Sequence, residues 1–539
     1  MEKKSFVQGA AILAIAGLVV KIIGAVYRIP LNNIIGPEGM SYYSLVYDYY
    51  NWLLVISSAG LPTAISKMVS ERVSLGNYRE ARAVFQTALR LLLCIGVVTT
   101  LIMLLGAKGL SAVTYPADAV DEIAKQALSF RALAPSLLFV SVMCAFRGYL
   151  QGLQHMGGTA ISQVVESIGK LVCGFYLAMK LLPKGPEYAA MGALIGVSIS
   201  EFLALIVIFL FYLKRRNTFP SLSREAAAPR TKGGRGIIGQ LLSIAIPVTI
   251  GASVMPMTNI VDGLLVIRTL SGIGFRVETA RETFSLLKSY VNPIINMPAV
   301  LTTALAMSLV PAISARMAKK DYKGVRSAAR TGMKLALIIG TPCAIGLFVL
   351  AEPILSMLYG SLEPAQLTVA AGLMQTACIG VVFLSLVQTL TGVIQGLGKP
   401  NVPVVNLLFG GVLKVISMVV LMRQPHINIQ GAAVSTVVCY ATAAMLDVIF
   451  LVRKTSMKLN LWDVFGKPLL SSAVMGATVH FAYQGLTGAG LSVTLSTLGS
   501  VALGVVLYCV LALLLRMFSP ADLAYIPGGK RLERVLYRR

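Results

Sequence analysis

Glu166 and Lys170 stand four residues apart in an apolar run, with Gln163 three residues before the glutamate. Glutamate ahead of lysine at i,i+4 is the favoured order for a helical ion pair, so this row serves either helix packing or function. Lys288, Asn292 and Asn296 follow one another at four-residue steps in a second apolar run and predict one polar stripe along a helix. Lys21 and Arg28 are seven residues apart and share a helix face two turns apart, with Gly17 and Gly24 close to that face. Asp48 lies within "YDYYNW", which suits an aromatic interface belt or the mouth of a cavity. Glu201, Asp262 and Asp447 are weaker acidic candidates for ion coupling. Ionisable groups at membrane depth are costly and face a cavity or a partner. Lys21, Arg28 and Lys288 lining one cavity would hold an anionic headgroup such as a phosphate or diphosphate, arginine as a fork and lysine as a point charge. The alternatives are snorkelling of Arg28 to the interface and helix-to-helix hydrogen bonding for the Lys288–Asn296 stripe.

Other chemistry is poorly supported. "GVIQGLGKP" fails as a phosphate-binding loop in its glycine spacing and in having Pro400 after the lysine. With no ATPase of its own, the chain would draw on a Na+ or H+ gradient or on the membrane potential. The seven cysteines (Cys94, Cys144, Cys173, Cys343, Cys378, Cys439, Cys509) lie in apolar runs without a C-x-x-C pair and read as small buried hydrophobes. No metal set, organic cofactor or nucleophile–base pair is expected. A membrane glycosyltransferase or polymerase is the less favoured alternative. It would need an acidic catalytic loop, and none is found. The outside loops are short for a large extracytoplasmic active site, although such enzymes can hide a few acidic residues in loops.

The elements that must position these residues follow from composition. The 539 residues are 56% hydrophobic and 13% charged, and many windows of about 20 residues hold almost no charge, as membrane-spanning helices do. The expected fold is an all-α polytopic membrane protein of about fourteen spans. The first lies near 7–29, the second near 42–66, the eighth near 284–308, and the last two near 468–486 and 492–516. No cleavage site interrupts the first run, which reads as a retained helix. The net charge of +25 would suggest nucleic acid in a soluble protein; here it reads as positive charge in the cytoplasmic loops, with no nucleic-acid partner. With the N-terminus inside, alternate loops are basic: Lys67 to Arg82, Lys214 to Arg235, Arg316 to Arg330, Arg453 to Lys458, and the tail from Lys530. Both termini are thus expected in the cytoplasm. The exception is the outside loop with Arg268, Arg276, Glu278, Arg281 and Glu282.

The chain also repeats itself. "NYREARAVFQTALRLLLCIG" (77–96) parallels "DYKGVRSAARTGMKLALIIG" (321–340) at an offset of 244, which also carries Gln151-Gly152-Leu153 onto Gln395-Gly396-Leu397 and Lys170 onto Lys414. "LPTAISKM" (61–68) resembles "VPAISARM" (310–317) after a small length change. Two parallel six-helix repeats are expected: an N-lobe over 1–216, a cytoplasmic linker over 217–236 and a C-lobe over 237–455. Two extra helices over 456–516 and a basic tail over 517–539 complete the chain. Gln-Gly reads as an inherited helix-ending turn. Arg147 precedes only the first copy, Thr391 standing in the second, and serves as an inner gate, as a headgroup contact or as a positive-inside anchor.

"KIIGAVYRIPLNNIIGPEG", "GLPTAISKMVSE" and "RGYLQGLQHMGGTAISQVVE" together resemble the polysaccharide-transporter branch of the multidrug/oligosaccharidyl-lipid/polysaccharide exporter superfamily, in its sporulation and MurJ-like lipid II flippase types. The resemblance spans essentially the whole chain. It implies two six-helix lobes in a V around a cationic cavity, a groove for a polyprenyl tail at the two extra helices, and alternating access. The substrate implied is a polyprenyl-diphosphate-linked sugar such as lipid II, moved across the cytoplasmic membrane beside the cell-wall synthesis machinery. Lys21 matches a basic position of MurJ-like proteins; Arg28 is displaced by one residue from the second, and the acidic residue expected early in the second span is absent from "MSYYSL". The rival reading is a cation-coupled multidrug exporter, which would favour acidic groups in its lobes and need no extra helices.

Overall fold

The computed structural model describes residues 2–216, 234–424, 426–457 and 460–518, with side chains from Ala16 onward except those of residues 18, 21, 25, 215, 216 and 235. Backbone amides in lipid have no water to bond, so long apolar runs close their hydrogen bonds within helices. The described residues accordingly form helices and no strand. The helices group into two compact units. The first runs to Ser271 and also takes Arg276–Ser285; the second holds Gly272–Phe275 and the described chain from Leu286 onward.

Unit 1 contains α1 (Glu2–Ser58), α2 (Leu61–Ser74), α3 (Tyr78–Leu105), α4 (Ala107–Thr114), α5 (Val120–Gly152), α6 (Met156–Leu181), α7 (Pro186–Arg216), α8 (Gly234–Gly272) and α9 (Val277–Ser285). Two expected spans, 7–29 and 42–66, are arms of the single element α1, which bends at Gly36 (φ 65°). Glycine enters that region without a Cβ clash, and Pro37 suits the opening of the second arm. The second arm stops at Ser58, earlier than expected, because α2 starts afresh beyond Gly60. A Cβ on Gly60 would collide with the backbone of Ala245, so this break lets α8 approach. Phe85, Phe146, Tyr149 and Tyr212 knit α3, α5 and α7 together, with ring centroids 4.5 Å apart for Phe85 and Tyr149.

Unit 2 opens with a π-helical turn (Leu286–Val291). It continues through α10 (Asn292–Ile295), α11 (Pro298–Ala318), α12 (Tyr322–Val349), α13 (Ala351–Leu358), α14 (Pro364–Gly396), α15 (Asn401–Met422) and α16 (Gln430–Thr455). A second π-helical turn (Trp462–Gly466) leads into α17 (Lys467–Gly488), followed by α18 (Val493–Leu514). Tyr508 Oη of α18 donates to the Ile338 carbonyl of α12 at 2.9 Å, and Ser472 of α17 hydrogen-bonds Thr341 of α12 at 3.1 Å. These bonds fasten the last two helices to the unit.

Eleven described helices are long and apolar enough to cross a membrane, which makes this a multi-pass membrane protein. That number takes the bent α1 with α2 as one stretch. It leaves out α6, with Glu166, Lys170 and Lys180, and α17, rich in Ser, Thr and Gly.

The duplication is written into the helix ends. α3, α4 and α5 correspond to α12, α13 and α14 at the offset of 244 at both ends. The two Gln-Gly ends close alike. His155 N–H donates to Leu150 O at 2.8 Å and Lys399 N–H to Ile394 O at 3.2 Å, while Gln154 and Gly398 adopt φ of 61° and 77°. This is the Schellman closure, with a left-handed residue just past the helix. The glycines themselves are packing sites. A Cβ on Gly152 would stand 2.8 Å from the Ser66 carbonyl and from Val69, and one on Gly396 3.0 Å from the Val310 carbonyl and 2.9 Å from Ile313. Ser66 and Val69 meet Val310 and Ile313 at the same offset of 244. The contacts therefore align α2 with α11 without the length change that the local sequence likeness suggests. Overpacking of this kind costs about 1–3 kcal/mol, so Gly152→Ala and Gly396→Ala should each lower thermal stability by that amount. Wild-type unfolding temperatures for both would contradict the close-packing role.

The packing boundary differs from the repeat boundary expected at 237. α8 lies in unit 1, where Gly60 meets Ala245 and Thr249, and Gly263 meets Leu45 and Phe284. The linker expected over 217–236 lies largely outside the described residues, as does the tail over 517–539.

Candidate functional site

In unit 1 the structure brings together Arg147, Glu166 and Lys170. Arg147 on α5 donates to Glu166 on α6 at 3.0 Å and to Ser162 at 3.1 Å. Lys170 reaches Glu166 at 2.7 Å and Glu201 on α7 at 2.9 Å. Glu201 is fully enclosed, and its Oε2 has no hydrogen-bond partner. Two cations thus meet two carboxylates across three helices inside the apolar layer, where an unpaired charge would be far costlier. Unit 2 does not repeat the arrangement. The positions answering Arg147, Glu166 and Glu201 are Thr391, Gly410 and Met445; only the lysine persists, as the buried Lys414 on α15. The buried Asp447 on α16 instead accepts from Asn406 at 2.7 Å. Gln151 and Gln395 contribute their backbone carbonyls to the helix-ending turns.

A second buried cluster went unrecognised in the sequence. Arg281 of α9 is completely buried, with its guanidinium 3.8 Å from the centre of the Tyr42 ring. It pairs with Glu122 of α5 and reaches Glu38 of α1 at 3.5 Å. Tyr42 Oη also donates to Glu122 at 2.9 Å, and the Gln126 amide donates to the Tyr42 carbonyl at 3.0 Å. Of the basic residues in that exceptional loop, Arg281 is matched by carboxylates and adds no free positive charge. Glu122 within "ADAVDEIAK" was the available signal, but nothing local links it to a residue 159 positions away.

The remaining sequence-predicted residues divide between the units. Arg28 and Asp48 lie on the two arms of α1, Arg28 half-buried and Asp48 buried. Lys21 falls on α1, but its side chain lies outside the described residues. Lys288, Asn292 and Asn296 belong to unit 2, and the single helix expected there is broken. Lys288 occupies the π-helical turn, Asn292 starts α10 and Asn296 ends it, before Pro298 opens α11. Four-residue steps make a straight stripe only on an unbroken α-helix, so these side chains follow a bent path, Lys288 and Asn292 half-buried and Asn296 exposed.

Unit 2 also carries an open apolar pocket of about 470 Å³, lined by residues including Leu301, Gly346, Met475, Val479, Val505 and Tyr508. Nearer the start of α17, Asp463 accepts from Lys334 at 3.0 Å and Lys467 at 3.1 Å. Partial burial raises the Asp463 carboxyl, but these two ammonium groups outweigh it and hold the carboxyl below its ordinary range. A depressed carboxyl stabilises the fold above its unfolded value, and the contribution disappears as pH falls through the folded one. Among the described residues no group of three His, Cys, Asp or Glu side chains is arranged to hold a metal ion.

A model for the family described as "Polysaccharide biosynthesis protein" matches residues 6–317, and a MatE model matches residues 288–420. Stage V sporulation protein B of Bacillus subtilis (strain 168) is 25% identical over 99% of both chains. A solved structure of the lipid II flippase MurJ in an inward closed conformation superposes with a TM-score of 0.71, at 14% identity, over 93% of this chain and 98% of that one. An inward-facing multidrug resistance MATE family transporter of the MOP superfamily superposes at 0.65, at 15% identity, over 81% of this chain and 94% of that one. An all-helical, internally duplicated membrane chain matches this company in sequence and in fold: the chain belongs to the polysaccharide biosynthesis protein family and shares its fold with the solved MurJ and MATE structures.

Proposed function

We propose that this transporter flips a polyprenyl-diphosphate-linked sugar, with lipid II as the leading candidate, across the cytoplasmic membrane by alternating access. The observation that carries the reading is the pair α17 and α18, which packs on the rest of unit 2 and, with α11 and α12, lines an open apolar pocket of about 470 Å³. A drug-sized cation needs no such annex; a polyprenyl tail needs an apolar surface while its headgroup crosses. The superposition on the flippase also takes in more of this chain, 93%, than that on the exporter, 81%. Lys21, Arg28 and Lys288 would hold the diphosphate, with Asp48, Asn292 and Asn296 placing the sugar. Counting the arms of α1 separately and adding α6 and α17 makes fourteen crossings, with both termini in the cytoplasm under the positive-inside rule. Two repeats then rock against each other, driven by an ion gradient or the membrane potential, in a bilayer shared with the cell-wall synthesis machinery.

The test is to deplete the protein in cells without a second flippase and follow lipid II exposure on the outer leaflet. Exposure should fall while the precursor accumulates inside; unchanged exposure would falsify the lipid II assignment. A charge-assisted contact contributes about 1.5–3 kcal/mol, so Lys288→Ala should cut transport about 10- to 100-fold at normal membrane levels. Undiminished transport by Lys288→Ala and Lys21→Ala would remove the cationic site.

A further inference from the structure

Among the described residues, the turn before α17 gathers three basic side chains around the carboxylate of Asp463. Both oxygens of Asp463 are taken, one by Lys467 at 3.1 Å and the other by Lys334 at 3.0 Å. Arg330 of α12 stands 3.8 Å from the same carboxylate, beyond hydrogen-bond distance, with its side chain 40% exposed. Among the described residues three cations thus surround this carboxylate, and the Arg330 guanidinium retains donors in the planar fork that suits phosphate.

The neighbouring side chains are of a different kind. Leu461 and Trp462 are 65% and 61% exposed. The Trp462 ring lies against Gly466, where any Cβ would overlap it, so this glycine lets the indole rest on the turn. An exposed leucine–tryptophan pair beside cations is costly in open water and favourable at the membrane interface, where indole sits at headgroup level. The ion pairs place this turn beside the Arg330–Lys334 stretch of α12, a helix whose first turns also carry the exposed Lys323 and Arg326.

We propose that this corner of unit 2 binds the phosphate of an anionic phospholipid, with Arg330 and Lys467 on the headgroup and Trp462 and Leu461 among the upper acyl carbons. Asp463 holds Lys334 and Lys467 in place, and the Arg330 guanidinium keeps donors for the lipid. The site needs only the membrane fold of this unit and is independent of what the transporter carries.

The full-length protein is reconstituted in nanodiscs of phosphatidylcholine alone or mixed with phosphatidylglycerol. Thermal unfolding and retained lipid, by native mass spectrometry, are then read. Phosphatidylglycerol should stabilise the wild type and be retained. Arg330→Gln with Lys467→Gln should weaken retention about fivefold for each cation removed, and Trp462→Ala should weaken it further. Lys323→Gln with Arg326→Gln, at the same end of α12, should keep most of the effect. Equal behaviour in the two lipid compositions, or equal loss in both double variants, overturns the proposal, the latter pointing to diffuse surface charge. Inorganic phosphate matching the stabilisation in phosphatidylcholine also overturns it, in favour of a soluble anion.

Discussion

Lys170→Ala should destabilise the protein by about 3–5 kcal/mol, the usual cost of removing one partner from a buried ion pair. Lys170 is the hydrogen-bonding cation for Glu201, at 2.9 Å, and shares Glu166 with Arg147. Without it two carboxylates face one arginine, and Glu201, already holding a partnerless oxygen, keeps a buried negative charge. The damage should be largely repaired by Lys170→Met combined with Glu201→Gln, which removes one charge of each sign. Thermal unfolding of the purified protein in nanodiscs reads both variants. A single substitution within about 0.5 kcal/mol of wild type, the scatter of ordinary surface changes, would show that the network is not structural. A double variant no better than the single one would show that charge balance is not its basis.

Arg281→Ala should cost a similar amount, about 3–5 kcal/mol, through a different geometry. Its guanidinium covers the Tyr42 ring at 3.8 Å and pairs with Glu122 and Glu38. After truncation Glu122 keeps Tyr42 Oη and the partly exposed Lys125 at 3.5 Å. Arg281→Lys should recover part of the loss, since an ammonium restores the charge but neither the planar stack nor the fork. α9 should also become more open to proteases, because Arg281 is its deepest polar anchor. Unchanged proteolysis of residues 276–285 together with wild-type stability would sink this reading.

Arg147 belongs to the same group of charges as Lys170. Its counterpart Thr391 is not an isolated difference: Glu166 and Glu201 are replaced by Gly410 and Met445 as well. The first repeat keeps a complete set of opposite charges and the second has lost all but the lysine. Arg147 is thus one member of a network of ion pairs within its own unit.

The sequence by itself determined the class of the protein, its helical character, its duplication at 244 residues and the turns after Gly152 and Gly396. Those are local properties: hydropathy over about 20 residues selects a membrane helix, and a glycine or a Schellman turn acts within one helix end. Only the tertiary structure decided that Arg281 belongs with Glu122, that α8 packs in unit 1, and that the Lys288–Asn296 stripe is broken by a π-helical turn and by Pro298. Each depends on which helices become neighbours. A buried charge takes whatever counterion the adjoining helix presents, so its partner lies far along the chain and leaves no trace in local periodicity.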